Sequence, residues 1–221
     1  MLFRSETTDY PNGQFQTFDY NSTETNSDLL LTANKNITDD FSILATAGVA
    51  RRDNKLTGSE LTAQALVVPS IFNFSNADGA VNVNQFSQKS RINSVLGSLS
   101  LGFYNFIYLD ASARNDWSST LPASSNSYFY PALNVGVVLS EKVSIPGVSY
   151  LKVRGGLAKA GKDTDPYRLA FVYGALTPWG GVPSFTVPGS RPNNALLPET
   201  AESAEAGLEM RAFKEIGRAH V

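Results

Sequence analysis

The segment GGLAKAGKD has the residue spacing of a phosphate-binding P-loop. Gly156 is followed by Gly161 and Lys162 at the distances that such a loop requires. Asp163, however, stands where the loop needs a Ser or Thr hydroxyl for Mg²⁺, and a carboxylate there repels phosphate. The residues TDP follow, whereas a P-loop continues into a helix. The pattern therefore favours a strand that leads into a loop over a nucleotide site.

Two groups of carboxylates have residue types that suit a metal or an acid–base pair. Asp163 and Asp165 offer the oxygen ligands that Ca²⁺ prefers, but Asp before Thr or Pro more often closes a turn. Glu202, Glu205 and Glu209 are the densest acidic set, and paired carboxylates cleave glycosidic bonds. At least two of these three face one side of a strand, which favours a solvated face. We predict no catalytic residue and no metal site, and calcium binding by the Asp pair stays open.

Composition excludes several further classes of function. The chain has no cysteine, and its one histidine is His220, so thiolate or imidazole chemistry has almost no residues to use. Eighteen basic and twenty acidic residues give a net charge of -2, which provides no electrostatic basis for binding nucleic acid. We therefore predict that the chain is not an enzyme and binds no cofactor.

Aromatic residues in the polar connections are candidates for contacts with a substrate or a partner. Trp117, Tyr128, Tyr130 and Trp179 lie in or beside segments rich in Asn, Ser, Gly and Pro. Aromatic rings stack on the apolar faces of sugars, and neighbouring polar groups supply hydrogen bonds. The alternative for the same residues is anchoring at a membrane interface or packing within loops.

The elements that must position these residues show the two-residue period of β-strands. In IYLDASAR, Leu109 alternates with Asp110, and comparable alternation recurs along the chain. It predicts about seven strands, several of them ten or more residues long. The connections alternate between short and long: the short ones span 34–40, 104–105 and 141–149, and the long ones span 51–88, 115–127 and 162–198. Part of 51–88 has helical character, and residues 1–26 stay unassigned.

The alternation leaves one question, which is whether the apolar face points into a protein core or toward lipid. One face holds small apolar side chains, and the other holds charged ones such as Asp110, Arg154 and Glu209. Charges are costly inside a dry sandwich core but normal in a water-filled lumen. Alternating short turns and long loops are also typical of outer-membrane barrels. We therefore predict an all-β fold, an open antiparallel part of a transmembrane β-barrel. The alternative is a secreted β-sandwich glycan-binding module or adhesin.

Several long segments resemble one protein family. IYLDASARNDWSSTLPASSNSYFYPALNVGVVLSE, LKVRGGLAKAGKDTDPYRL and RPNNALLPETAESAEAGLEMRAF are similar, in this order, to the barrel of SusC/RagA-like TonB-linked outer-membrane transporters. LVVPSIFNFSNA is similar to a recurring loop of that family. The resemblance runs over roughly residues 27 to 213.

The resemblance implies a plugged barrel of about 22 strands, of which this chain supplies about seven. It implies import of oligosaccharides, or of peptides, with energy from TonB and with a SusD-like lipoprotein lid. It places the protein among the lipids of the outer membrane of a Gram-negative, Bacteroidota-type bacterium. Residues 1–214 are then a partial receptor barrel, and we expect the plug domain, the TonB box and the signal peptide to be absent from the chain.

The last seven residues, EIGRAHV at 215–221, do not resemble the family. They look like translated sequencing adapter, and we exclude such a segment from fold arguments. His220 falls within it.

Overall fold

The computed structural model describes residues 2–7 and 10–212, with side chains from residue 11 onward. The segment 215–221 lies outside the described residues. The described chain consists of strands and two short 3-10 helices, Phe74–Asn76 and Leu139–Glu141. The strands are β1 Leu2–Thr7, β2 Tyr10–Thr38, β3 Phe41–Ala63, β4 Asn82–Phe103, β5 Ile107–Ser118, β6 Ser127–Val138, β7 Val148–Lys162, β8 Gly174–Trp179, β9 Val182–Thr186 and β10 Glu199–Ala212.

Most of these strands form one sheet with the order β1-β2-β3-β4-β5-β6-β7-β10, while β8 and β9 pair only with each other. The pairings of β4 with β5, β5 with β6, β6 with β7 and β7 with β10 are antiparallel. The prediction of an all-β chain with an open antiparallel sheet of about seven long strands is confirmed. The short strand β1 and the β8–β9 hairpin were not predicted from the sequence. In the part of the chain that the structure describes, no helix is long and apolar enough to cross a membrane.

The prediction for residues 51–88 is wrong in extent and in its helical part. Strand β3 continues to Ala63 and β4 begins at Asn82, so the connection spans only 64–81, and its one helical element is a single 3-10 turn. The added strand residues, RRDNKLTGSELTA, are polar at both parities. They therefore lack the apolar alternation by which a strand is recognised, although the backbone pairs regardless of side-chain type. Residues 10–26, unassigned from sequence, are likewise strand.

The chain divides into two compact units, of which the first comprises residues 2–7, 10–25 and 53–90 in the described chain. Its core is formed by Phe15, Ala63 and Leu66, against which Phe72 and Phe74 pack. The rings of Phe15 and Phe74 lie 4.6 Å apart between centroids. The connection 64–81 is thus a folded loop held by buried apolar contacts.

The side chain of Asn76 fixes the shape of that loop. Its Nδ2 donates to the carbonyls of Val68 and Ile71 at 2.8 Å each, and its Oδ1 accepts from the backbone N–H of Val68 at 3.1 Å. The amide side chain thus supplements the backbone pairing of the loop, in which the N–H of Val67 donates to the carbonyl of Asn76 and the N–H of Asp78 donates to the carbonyl of Ala65.

The second unit comprises residues 26–52 and 91–212 of the described chain, and its strand register separates two faces. Directly paired residues share a face. Val137 pairs with Val153, and Val153 pairs with Leu208, whereas Asp110 pairs with Asn134 on the other side. The predicted apolar and polar sets therefore do lie on opposite faces, which confirms that assignment.

The apolar face of the second unit is exposed. Leu133 is 44% exposed and Leu208 is 65% exposed, far above the values of a protein core. Among the described residues no second sheet covers this face. The second unit is therefore a single-layered sheet with an exposed apolar face, and its function must account for that exposure.

The connections of the second unit lie on two rims. Connections 39–40, 104–106 and 139–147 follow β2, β4 and β6, and connections 119–126 and 163–198 follow β5 and β7. Because antiparallel strands reverse direction at each connection, the first three share one rim and the last two share the other. We call these edges the turn rim and the loop rim. The predicted contrast in length holds for the tight turns 39–40 and 104–106 and for the long loop 163–198, but not for 139–147 and 119–126, which have nine and eight residues. At the turn rim Tyr104 and Asn105 both have positive φ, which gives the tight reversal between β4 and β5.

Two glycines in neighbouring strands provide a matched test of the sheet. A Cβ at Gly48 would lie 2.5 Å from the carbonyl oxygen of Leu29, whereas a Cβ at Gly97 meets only the carbonyl oxygen of Thr46 at 3.6 Å. We predict that Gly48→Ala lowers the free energy of unfolding by about 1–3 kcal/mol, because backbone must move. Gly97→Ala should change it by less than about 1 kcal/mol. Urea titration of the chain in detergent micelles measures both, and equal effects would contradict the described approach of β2 to β3.

Candidate functional site at the loop rim

A network of polar side chains lies on the polar face where β4, β5 and β6 reach the loop rim. Ser94 pairs with Asp116 and Asp116 pairs with Tyr128, so the three side chains stand side by side across three strands. Ser94, Asp116 and Tyr128 are 4%, 5% and 7% exposed. These are among the most buried residues of the unit, although two of them are polar.

Asp116 is held from two sides. Its Oδ1 accepts from Nε of Arg114 at 2.8 Å, and its Oδ2 accepts from the hydroxyl of Tyr130. A second guanidinium nitrogen of Arg114 donates to the hydroxyl of Ser94 at 2.8 Å. Each buried side-chain nitrogen or oxygen atom in the described chain has a hydrogen-bond partner. Both oxygens of the carboxylate are engaged in these hydrogen bonds. The arrangement therefore forms a rigid polar network and offers no free acid or base.

The end of β7 is fastened to the neighbouring loop by Asp163. Its Oδ2 accepts from the hydroxyls of Ser118 and Thr120, at 2.5 and 3.1 Å, and Ser118 is only 1% exposed. At the other end of the same long loop, the hydroxyl of Ser125 donates to the carbonyl of Leu196 at 2.8 Å. Loop 163–198 is therefore tied to loop 119–126 near both of its ends.

The predicted aromatic contacts are placed in two groups rather than in one. Trp117 is on the face opposite to Asp116, whereas Tyr128 and Tyr130 are on the Asp116 face with rings 5.9 Å apart. Three of the four residues thus lie in strands at the loop rim and not in loops. Trp179 ends β8 and is 86% exposed. The contact of all four with a substrate or partner stays a prediction.

Trp117 borders an open cavity on the apolar face. This cavity has a volume of about 480 Å³ and is lined in part by Leu29, Val49 and Val95. A Trp at the end of a strand, beside aliphatic side chains, is the arrangement of an interfacial aromatic belt as well as of a binding platform.

The other residues considered for nucleotide, metal or acid–base chemistry belong to a regular strand or form ion pairs. The P-loop-like residues 156–162 belong to strand β7 and therefore form no phosphate-binding loop. Asp165 pairs with Arg168 at 3.0 Å, and Glu202 pairs with Lys159 at 3.0 Å. The described residues contain no cluster of three or more possible metal ligands.

The first unit carries an aromatic group of its own. Tyr20 donates its hydroxyl to Glu60 Oε1 at 2.8 Å, and Asn84 donates to the other carboxylate oxygen at 3.2 Å. This hydrogen bond to a carboxylate raises the pKa of Tyr20 above its ordinary value. Gly58 leaves room for the rings of Tyr20 and Phe86, since a Cβ there would lie within 2.7 Å of both.

Sequence reasoning missed the Arg114–Asp116 network and the role of Asp163 as an anchor. Arg114, Asp116 and Ser118 do share one parity, which places them on one face of β5. Their partners, however, come from elsewhere: Ser94 from β4 and Asp163 from the end of β7. The local sequence pattern thus indicated that these residues share a face, but not which residues of other segments they contact.

The fold is similar to that of solved transporter structures. A structure of the RagAB peptide transporter matches with a TM-score of 0.79 at 14% sequence identity, and the RagAB peptide importer matches in its closed-closed and open-open states with TM-scores of 0.75 and 0.73, both at 15%. Each match covers 91% of this chain and 23% of the other chain, so this chain spans about a quarter of their length. No protein-family model and no curated protein matches the sequence. At these identities the likeness establishes a shared fold.

The anchor at Asp163 generates a prediction about loop 163–198. We predict that Asp163→Ala raises the rate of chymotryptic cleavage after Tyr173 about tenfold or more, because charge-assisted hydrogen bonds contribute about 1.5–3 kcal/mol to keeping the loop closed. Asp165→Ala is the control, since its ion pair with Arg168 is exposed and should matter little. Mass spectrometry of the fragments over time measures both rates. Equal rates for the two variants would show that Asp163 does not anchor the loop.

Proposed function

We propose that this chain is part of the barrel of a SusC/RagA-like, TonB-linked importer in a bacterial outer membrane. Its substrates are oligosaccharides or peptides, and a SusD-like lipoprotein covers its outer opening. The sequence resemblance over residues 27 to 213 and the shared fold with RagAB peptide transporter structures support this proposal.

The observation that carries the proposal is the exposed apolar face. Strands β5, β6, β7 and β10 have 12, 12, 15 and 14 residues. Tilted strands need about 9–11 residues to cross a bilayer. Apolar side chains at every second position along such strands cost free energy in water and gain it in lipid. A lipid environment therefore explains both the length of the strands and the open face.

The opposite face suits a water-filled lumen. It carries Asp110, Asn134, Lys152, Arg154 and Glu209 on adjacent strands. The alternative function, a soluble β-sandwich module, requires a second layer over the apolar face, and the described residues supply none.

In this proposal the loop rim faces the outside of the cell. Loops 119–126 and 163–198 then meet the substrate or the lipoprotein lid, and the exposed Trp179 is a contact of the kind that stacks on sugar or peptide groups. Trp117, on the apolar face, is suited to the lipid interface.

A pair of neighbouring substitutions distinguishes lipid from water at the apolar face. We predict that Leu133→Arg lowers the stability of the barrel in lipid vesicles by about 2–4 kcal/mol, because it places a charge in hydrocarbon. Asn134→Arg, one residue further on the polar face beside Asp110, should cost less than about 1 kcal/mol. Urea titration measures both. A chain that is soluble without detergent and tolerates Leu133→Arg equally well would refute the membrane assignment.

Uptake by cells tests the transport activity. We predict that cells expressing the complete gene product that contains this segment accumulate labelled oligosaccharides or peptides, and that uptake stops when the proton-motive force is collapsed. Cells lacking the gene are the control. Uptake that continues after the collapse would be passive and would contradict an energised importer.

A further inference from the structure

Loop 163–198 folds around a cavity of its own. The cavity is open to solvent and has a volume of about 600 Å³, within the range of about 300–1,000 Å³ that small-molecule sites occupy. Its apolar wall includes Phe171, Val172, Pro188 and Pro192. The polar network of β4 to β6 contributes no residue to it, so this site is distinct from that network.

The charge of the cavity is positive. Its lining includes two arginines, Arg168 and Arg191, and no carboxylate. Arg168 is partly neutralised by Asp165 at 3.0 Å. Arg191 has no ion pair or hydrogen bond within the residues that the structure describes. A guanidinium beside proline and aromatic side chains is a fitting partner for a carboxylate, which it can bind through two parallel hydrogen bonds.

The backbone at the cavity is strained. Tyr167, which lines the cavity, has φ of +64°, in the left-handed region that is costly for a bulky residue. The N–H of Ala170 donates to the carbonyl of Tyr167 at 3.2 Å and closes the turn that holds this conformation. Strained residues of this kind concentrate at sites that clamp ligands. The strain and the unpaired arginine are separate observations, and both point to the same cavity.

We propose that this cavity binds a ligand carboxylate that is flanked by an apolar group, with Arg191 as the residue that recognises the charge. The inference rests on the proposed function, because the substrate reaches the loop only if the loop rim faces outward. Phe171 and the prolines receive the apolar part of the ligand. Ser190 and Asn193 line the same cavity and have side chains that can donate hydrogen bonds to the second carboxylate oxygen. The carboxylate can be the C-terminus of a peptide or the acid group of a uronic sugar.

Binding to the complete gene product in detergent micelles tests the proposal with two pairs of probes. The first pair is the pentapeptide GASAF as free acid and as C-terminal amide, and the second is trigalacturonate and neutral galactotriose. We expect one acid to bind about tenfold or more tightly than its neutral counterpart, and the arm that shows this difference identifies the source of the carboxylate. Arg191→Gln should abolish the difference, and Arg191→Lys should retain part of it. Lys35→Gln, which removes the same charge from the exposed side of β2, should leave it intact.

Two further measurements keep the result interpretable. Phe171→Ala should weaken the acid and the neutral probe alike, because it removes only apolar contact. For the unmodified protein, binding of the acid should weaken as salt rises while binding of the neutral probe does not, and this requires no variant to fold. The proposal is overturned if neither acid is preferred, if Arg191→Gln preserves the preference, or if salt affects both probes equally. Uptake by cells is measured separately. If the complete protein still imports its substrate but shows no preference for the acid probe, the carboxylate site is refuted and the proposed transport function is not.

Discussion

The register of the strands in the second unit is the constraint on which the rest of the structure depends. From β4 through β5, β6 and β7 the pairing runs residue against residue with no shift, and from β7 to β10 it shifts only next to Ala212. Because side chains alternate between faces, a slip by one residue would exchange Leu133 with Asn134 and bring charges onto the apolar face. The separation of apolar and polar side chains onto two faces follows from this continuous strand pairing.

The polar face shows how charged side chains fit between closely spaced strands. Glycine recurs opposite or beside them: Gly136 and Gly207 flank Arg154, and Gly156 lies beside Asn134. A Cβ at Gly207 would lie 2.7 Å from Nε of Arg154, and one at Gly156 would lie 2.2 Å from Oδ1 of Asn134. The missing side chains provide the space in which the long polar groups lie along the sheet. Glycine weakens a strand by itself, and here it is the counterpart of a large polar neighbour.

The loop rim combines a rigid base with an exposed tip. Asp163 and Leu196 fasten loop 163–198 to the loop between β5 and β6, whereas the β8–β9 hairpin between these anchors exposes large side chains such as Trp179 and Phe185. Anchors near both ends confine the loop without covering its surface. Such a combination suits a binding surface, because groups that contact a ligand must be accessible and yet held in a limited set of positions.

The sequence by itself determined the strands whose two faces differ. Alternation such as Leu109 with Asp110 is a local property, and the tight turn at Tyr104 and Asn105 fixes the pairing of β4 with β5. The sequence also indicated the two tight turns and the long loop before β10, but not the relative lengths of 119–126 and 139–147, which have eight and nine residues. It did not reveal that residues 10–26 of β2, 51–63 of β3 and 82–88 of β4 are strand, because no apolar alternation marks these segments.

Only the tertiary structure decided which side chains meet across distant segments. Asp163 reaches Ser118 over 45 residues of chain, and Tyr130 reaches Asp116 only because β5 and β6 pair in one register. The separation of Trp117 from Tyr128 also depends on that register, since loop 119–126 could have joined the strands with either parity. The cavity with Arg191 arises from the path of a loop rich in proline and glycine, which has no periodic pattern. Local alternation fixes a face, whereas contacts between segments depend on loop closure and register, which no short stretch of sequence encodes.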